Sequence, residues 1–141
     1  MRLSVTTPRG AIVETETEEI VAPGSEGEFG VLPGHVPFLS VLRPGVFIYK
    51  GKEGNRIFAV GEGVLEVTRT GPQSDKILVL VERAAAAREI DATAAASELA
   101  GLDQQISQWK KEDAVAEYHS LLARRAWAAA KVDAASRVAP H

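Results

Sequence analysis

The sequence predicts a β + α chain in which an all-β unit, a sandwich or barrel, is followed by an antiparallel hairpin of two helices. Three observations predict it. Alanine occurs three times in residues 1–83 (Ala11, Ala22, Ala59) and nineteen times in residues 84–141. Eleven of the twelve glycines and six of the seven prolines precede residue 84. Apolar runs recur roughly every 8 to 12 residues in the first part with Gly or Pro between them, the spacing of a sandwich or barrel. Apolar residues in the second part instead follow a helical period. We divide the chain into a β domain, residues 1–84, and a helical hairpin, residues 85–141.

The strands follow from punctuation. Leu3 to Thr7 and Ala11 to Glu14 flank the turn Pro8-Arg9-Gly10. Glu18 to Ala22 is expected to stop at Pro23-Gly24, and Phe29 to Leu32 at Pro33-Gly34. Phe38 to Leu42, Val46 to Lys50, Arg56 to Val60, Val64 to Thr70 and Lys76 to Glu82 follow, separated by Pro44-Gly45, Gly51 to Asn55, Gly61 to Gly63 and Gly71-Pro72. Such residues end strands because glycine tolerates turn backbones and proline lacks an N–H for the ladder.

After Arg83 helix formers take over. Asp91 is placed to cap a helix over about 91–109, whose apolar positions Leu99, Leu102, Ile106 and Trp109 fall on one stripe. Lys110-Lys111-Glu112 breaks the stripe, and Asp113 is placed to cap a second helix over about 113–137 with Val115, Tyr118, Leu121, Leu122, Ala129 and Val132 on one face. So short a break makes the helices antiparallel neighbours. Their seam is thin in large apolar side chains but rich in alanine, the best helix former, so the segments retain helical character even when undocked.

Composition removes whole classes of function. At 45% apolar and 25% charged residues the chain is neither disordered nor membrane-spanning by composition. The lack of cysteine excludes a disulfide scaffold, a thiolate nucleophile and thiol-ligated metal. A net charge of -3 gives no general reason to bind nucleic acid. Locally, residues 85–117 carry 3 basic against 7 acidic side chains and residues 118–141 carry 4 against 1, so an acidic helix precedes a basic one. The N-terminus lacks an apolar signal core, and no stretch approaches the roughly 20 apolar residues of a spanning helix.

No motif supplies catalysis. The nearest approach to a phosphate loop, Gly45 to Lys52, has one residue too many between its glycines and Glu53 where a magnesium-binding hydroxyl belongs. Gly61-Glu62-Gly63 lacks the third glycine and the following helix of a dinucleotide fingerprint. His35, His119 and His141 are too scattered for a metal site. His35 sits on a loop stiffened by Pro33 and Pro37, where it either bonds local backbone or faces a partner. Glu26 and Glu28 lie in a glycine-flanked segment, a solvated turn or a surface for a cation. Trp127 lies about 180° from Tyr118 around the second helix, with Arg124 and Lys131 near it. That grouping suits either an acidic partner surface or packing on the β domain, while Arg125 falls where it can neutralise the first helix.

Taken in order, these pieces resemble a known family, the epsilon subunit of bacterial and plastid F-type ATP synthase, called delta in mitochondria. The resemblance is carried by Ala22-Pro-Gly-Ser-Glu-Gly-Glu-Phe-Gly-Val-Leu-Pro-Gly-His-Val-Pro-Phe-Leu-Ser-Val-Leu-Arg-Pro-Gly45, with its Pro-Gly-His-x-Pro segment, by Phe58-Ala-Val-Gly-Glu-Gly-Val-Leu-Glu-Val67, and by the alanine-rich region opening with Ile90-Asp91. It implies a ten-stranded β-sandwich followed by a two-helix hairpin, with no active site, metal or cofactor of its own. The implied partners are the gamma subunit, the c-ring and the alpha/beta catalytic head. The implied role is coupling of proton transport to ATP synthesis from the central stalk, peripheral to the cytoplasmic side of a bacterial inner membrane or, alternatively, to a thylakoid. Glu28 and His35 match positions on the ring and gamma side. Arg124, Arg125 and Lys131 are candidates for contact with the catalytic head by a hairpin that opens to inhibit hydrolysis. Some members bind ATP through Ile/Leu-Asp-x-x-Arg-Ala. Here Ile90 and Asp91 match, but Ala94 replaces the arginine, and a methyl group cannot bind phosphate as a guanidinium does. An ATP-sensing module is therefore the alternative reading, and an independent ATP-hydrolysing enzyme the third.

Overall fold

The computed structural model describes residues 1–72, 74–110 and 115–138. Ten strands come first: β1 (Arg2–Thr7), β2 (Gly10–Glu16), β3 (Ile20–Gly24), β4 (Gly27–Val31), β5 (Phe38–Leu42), β6 (Gly45–Gly51), β7 (Gly54–Val60), β8 (Gly63–Arg69), β9 (Asp75–Val81) and β10 (Ala84–Ala86). A short 3-10 turn, Ala87–Glu89, leads into α1 (Ala92–Ser107) and α2 (Val115–Ser136). The expected sandwich and helical hairpin are both present.

Pairing divides the strands into two five-stranded halves, β10-β7-β6-β3-β4 and β5-β8-β9-β1-β2. A single residue pair, Gly24 with Leu42, joins them. Both halves feed one core. Ile20, Ala22, Val31, Phe47 and Val60 meet Leu3, Val5, Leu42, Leu65, Val67, Ile77 and Val79, all buried. Each fully buried side chain of this size contributes about 1.5–3 kcal/mol, so this core holds most of the apolar stabilisation in the chain. β9 shows the logic most cleanly. Asp75, Ile77, Val79 and Val81 point inward, and Lys76, Leu78 and Leu80 point out.

Two boundaries differ from the sequence expectation. The strand expected to end at Pro23-Gly24 runs through both residues, and the β3–β4 turn is made by Ser25 and Glu26, between the paired Gly24 and Gly27. Pro23 is accommodated because its carbonyl, and with it the position of its missing N–H, faces the join rather than β4: the carbonyl takes the Arg43 N–H at 2.9 Å and no ladder bond to β4 is lost. The second difference is β10. Ala84–Ala86 pairs with β7 as an edge strand although alanine favours helix, because β7 offers it a free ladder edge.

Asp91 caps α1 as expected, its carboxylate accepting the Ala94 N–H at 3.0 Å. Ile90 packs against the cluster under α2, with its N–H on the Ala87 carbonyl. Trp109 meets Tyr118 with ring centroids 4.5 Å apart and planes tilted by 50°, Asp103 meets Arg125 and Glu98 meets Lys131, so the helices run antiparallel. Asp113, the expected cap of the second helix, and His141 lie outside the described residues.

α2 is the helix that lies on the sandwich, against β6 and β7, and α1 lies on α2. The buried residues of α2 are Ala128, Ala130 and Ala134, whereas Val115 and Leu122 of the expected stripe are exposed. The stripe differs because α2 serves two surfaces at once. The centre of its contact with the sheet sets Ala130 and Ala134 against Val46 and Ala59, and Ile48, Ile57, Trp127 and Val138 pack around that centre.

Two glycines of opposite character test these assignments. A Cβ at Gly63 would run into the Leu80 carbonyl of the neighbouring strand, whereas one at Gly101, inside α1, meets nothing. Gly101→Ala is expected to raise stability by about 0.5–1 kcal/mol in urea melts, and Gly63→Ala to lower it by more than about 2 kcal/mol. Similar effects of the two substitutions would contradict the register of β8 on β9.

Candidate functional site

The Pro-Gly-His segment forms a β-turn over Leu32 to His35, closed by the His35 N–H on the Leu32 carbonyl at 3.2 Å. Gly34 has φ +83°, the left-handed value a type II turn requires at its third residue, and Pro33 pre-sets the second. The His35 ring is exposed, with Nδ1 3.0 Å from the Val36 carbonyl and its face 4.9 Å from Phe38. Phe38 in turn meets Phe29 edge-on at 5.7 Å, so the histidine is seated on an aromatic pair rooted in the core.

Around this turn the surface is apolar. Leu32 is 56% exposed and Val36 73%. The outer face of β5 and β9 adds Leu39, Val41, Leu78 and Leu80, each more than a third exposed. Register makes the strand residues neighbours: Val41 pairs with Val64, which pairs with Leu80, and Leu39 pairs with Glu66, which pairs with Leu78. Glu66 interrupts the second row, but the remaining apolar surface is still more than a monomer commonly leaves in water. Sequence reasoning passed over it, yet a signal was present. Phe38 to Leu42 and Ile77 to Val81 are nearly continuous apolar runs, where an antiparallel strand with one solvated face alternates.

Glu28 lies on β4 with its carboxylate exposed and 4.0 Å from the guanidinium of Arg137, just beyond α2. Arg137 also bonds Asp133 at 3.0 Å. The Asp133 hydrogen bond raises the pKa of Arg137 above its ordinary value; partial burial opposes this, and the charges of Asp133 and Glu28 add to it. Glu26 sits in the β3–β4 turn, so the two glutamates do not share a strand face. Among the described residues no group of three His, Asp or Glu side chains is placed to hold a metal.

The cations of α2 are spread over different neighbours. Arg125 pairs with Asp103 of α1, and Lys131 with Glu98 at 3.2 Å. Arg124 is exposed. Trp127 belongs to the cluster between α2 and the sheet, with Arg83 and Lys131 over its ring at 5.2 and 5.8 Å. The packing alternative for Trp127 is therefore the one realised, and two cations flank the ring. A cleft of about 650 Å³ beside the end of α2 is lined by Tyr49, Arg56, Arg88 and Arg137 among others. Arg56 faces Glu53 at 3.4 Å and Arg137 faces Asp133 and Glu28, so these two guanidiniums are already engaged by carboxylates.

Comparisons with known proteins agree with this geometry. The family profile described as "ATP synthase, Delta/Epsilon chain, beta-sandwich domain" matches residues 1–87. The chain is 35% identical over 137 residues to ATP synthase epsilon chain 2 of Syntrophotalea carbinolica, covering 97% of this chain and 94% of that one. It is 40% identical over 114 residues to the ATP synthase epsilon chain of Trichlorobacter lovleyi, covering 80% and 78%. Among solved structures it is similar to a chain of the Euglena gracilis mitochondrial ATP synthase OSCP/F1/c-ring assembly, with TM-score 0.76 at 20% identity over 92% of this chain and 77% of that one. A chain of the Tetrahymena thermophila mitochondrial ATP synthase central stalk and c-ring gives 0.61 at 16% over 95% of each. At such identities the structural likeness speaks for the fold.

The clamp on Trp127 predicts how the hairpin is held. Trp127→Ala is expected to cost about 1–3 kcal/mol, less than a fully buried tryptophan would, and to hasten tryptic cleavage after Arg124 and Arg125 while the β domain stays intact. An unchanged digestion pattern would show that Trp127 does not hold the hairpin down.

Proposed function

The chain belongs to the delta/epsilon family of ATP synthase subunits, and from that premise we propose that it is a non-catalytic central-stalk subunit linking the gamma subunit to the c-ring. The observation that carries this reading is the exposed apolar face of β5, β8 and β9 beside the rigid Leu32–His35 turn. Burying that face against a partner removes from water side chains worth about 1.5–3 kcal/mol each, enough to anchor a subunit on a rotating stalk. His35 and the turn mark the partner side, and Glu28 contributes the acid that meets the ring. Proton flow through the ring is coupled to ATP synthesis through this anchor. The subunit is held at the cytoplasmic face of a bacterial membrane by its complex; among the described residues no helix is long and apolar enough to cross a membrane.

The hairpin is the regulatory part. The fully buried part of its attachment to the sheet is alanine, whose methyl group contributes only about 0.8 kcal/mol, and the larger Trp127 and Val138 are only partly buried there. Its ion pairs are exposed, a class typically worth no more than about 1 kcal/mol each. A hairpin so held opens at modest cost. On opening, Arg125 and Lys131 leave Asp103 and Glu98 and join Arg124 as cations for acidic surfaces of the catalytic head, which suppresses hydrolysis.

Truncation tests both parts. A chain ending at Arg88 is expected to fold, to bind ATP synthase depleted of this subunit, and to suppress hydrolysis less than the full chain. Failure of the truncated chain to bind would remove the β domain as anchor, and equal suppression would remove the hairpin as inhibitor. ATP sensing has less support: Asp91 is occupied in capping Ala94, where nucleotide-binding members carry arginine. Titration of the full chain with ATP should show millimolar affinity or none. Micromolar binding would restore the sensor.

A further inference from the structure

Asp75 is the single buried ionisable side chain among the described residues. It opens β9, paired across the ladder with Arg69 of β8. One carboxylate oxygen, Oδ2, accepts the backbone N–H of Gly34 at 2.7 Å across 41 residues of sequence. The other, Oδ1, lies 3.5 Å from Arg69 Nε and has no hydrogen-bond partner among the described residues. Burying a carboxylate is costly unless it is paired, so a β-sandwich gains nothing by placing one here for packing alone. The Leu32–His35 turn explains what the carboxylate does. The closing bond of the turn uses the His35 N–H, and the Gly34 N–H is left pointing out of the turn without a partner of its own. Asp75 takes that N–H, and a hydrogen bond to a charged acceptor is among the strongest a turn can receive.

We propose that Asp75 is a positioning residue: its buried carboxylate, with Arg69 as counter-charge, fixes the Leu32–His35 turn from β9 and so sets how Leu32, His35 and Val36 are presented to the partner. The turn has proline at its second position and glycine at its third, which settles its shape. Its orientation on the sandwich is a separate matter, and Asp75 is the side chain that bonds its outward N–H. The partner half of this inference rests on the stalk-subunit reading; the positioning half does not.

Two measurements on the full chain separate them. The first is amide exchange by NMR. Asp75→Ala is expected to speed exchange at Gly34 by about tenfold or more, leaving unchanged the α2 amides around Ala130 and Ala134, whose opening does not break the turn, while Asp75→Asn, whose amide oxygen still accepts, restores protection. Unchanged exchange at Gly34 in Asp75→Ala would overturn the proposal. Should Asp75→Ala not fold, the unmutated chain carries the same test: the hydrogen bond is expected to give a scalar coupling between the Gly34 amide nitrogen and the Asp75 carboxyl carbon, and its absence overturns the proposal equally. The second measurement is binding to ATP synthase depleted of this subunit. Asp75→Ala is expected to weaken it by about tenfold, with rescue by Asp75→Asn. Lost protection with undiminished binding would show that turn orientation does not serve the partner. Failure of the unmutated chain to bind would sink the stalk reading while the Gly34 result still stood.

Discussion

Everything in this chain depends on β6 and β7 having two usable faces. Inward, Phe47 and Val60 close the sandwich core with side chains that leave no room for water. Outward, Val46 and Ala59 make a low floor on which Ala130 and Ala134 of α2 come to rest. The two contacts are made by the same strands, but they differ in strength. Fully buried aliphatic and aromatic groups hold the two sheet halves together, while the hairpin is held by buried alanines, by partly buried Trp127, Val138, Ile48 and Ile57, and by exposed ion pairs. Burial scales with apolar area, so the first contact is strong and the second weak. On the proposed reading the fold is a stiff base carrying an element that can leave it.

The opposite sheet half is organised for a different purpose. Its inner face completes the core and its outer face remains apolar in water, with Val41, Val64 and Leu80 in one row across three strands. The Leu32–His35 turn stands beside this face, seated on Phe38 and tied by Asp75. On the proposed reading, one half of the sandwich carries the hairpin and the other meets the stalk. Glu28 lies with the hairpin-bearing half, its carboxylate on β4 near the end of α2 and 4.0 Å from Arg137.

Much of this was legible in the residues, for identifiable reasons. The alanine and glycine distributions located the change from strand to helix, because propensity acts locally and both signals were strong. The cap at Asp91 was legible for the same reason. The β3–β4 turn lies beyond the Pro23-Gly24 signal because Pro23 faces Arg43, twenty positions further along the chain, and nothing local announces it. β10 was missed because three alanines take the conformation their neighbour β7 imposes. The stripe on α2 differs because periodicity ranks residues by size, whereas the centre of the contact with the sheet is filled by Ala130 and Ala134 and the large Trp127 packs beside them. Of the site, Glu28 and His35 were reached through family resemblance; the bond from Gly34 to Asp75 is a long-range contact that spacing cannot reveal.

The central claim is that a strongly packed β base and a weakly docked hairpin are separable in energy. Native-state hydrogen exchange of the full chain at increasing denaturant measures this directly. Amides of α2 around Ala130 and Ala134 should open in a smaller, low-energy event, while amides of β8 and β9 such as Leu65 and Val79 exchange only through global unfolding. If both sets open with the same free energy and the same denaturant dependence, the chain is one cooperative unit and the account of a movable hairpin is contradicted.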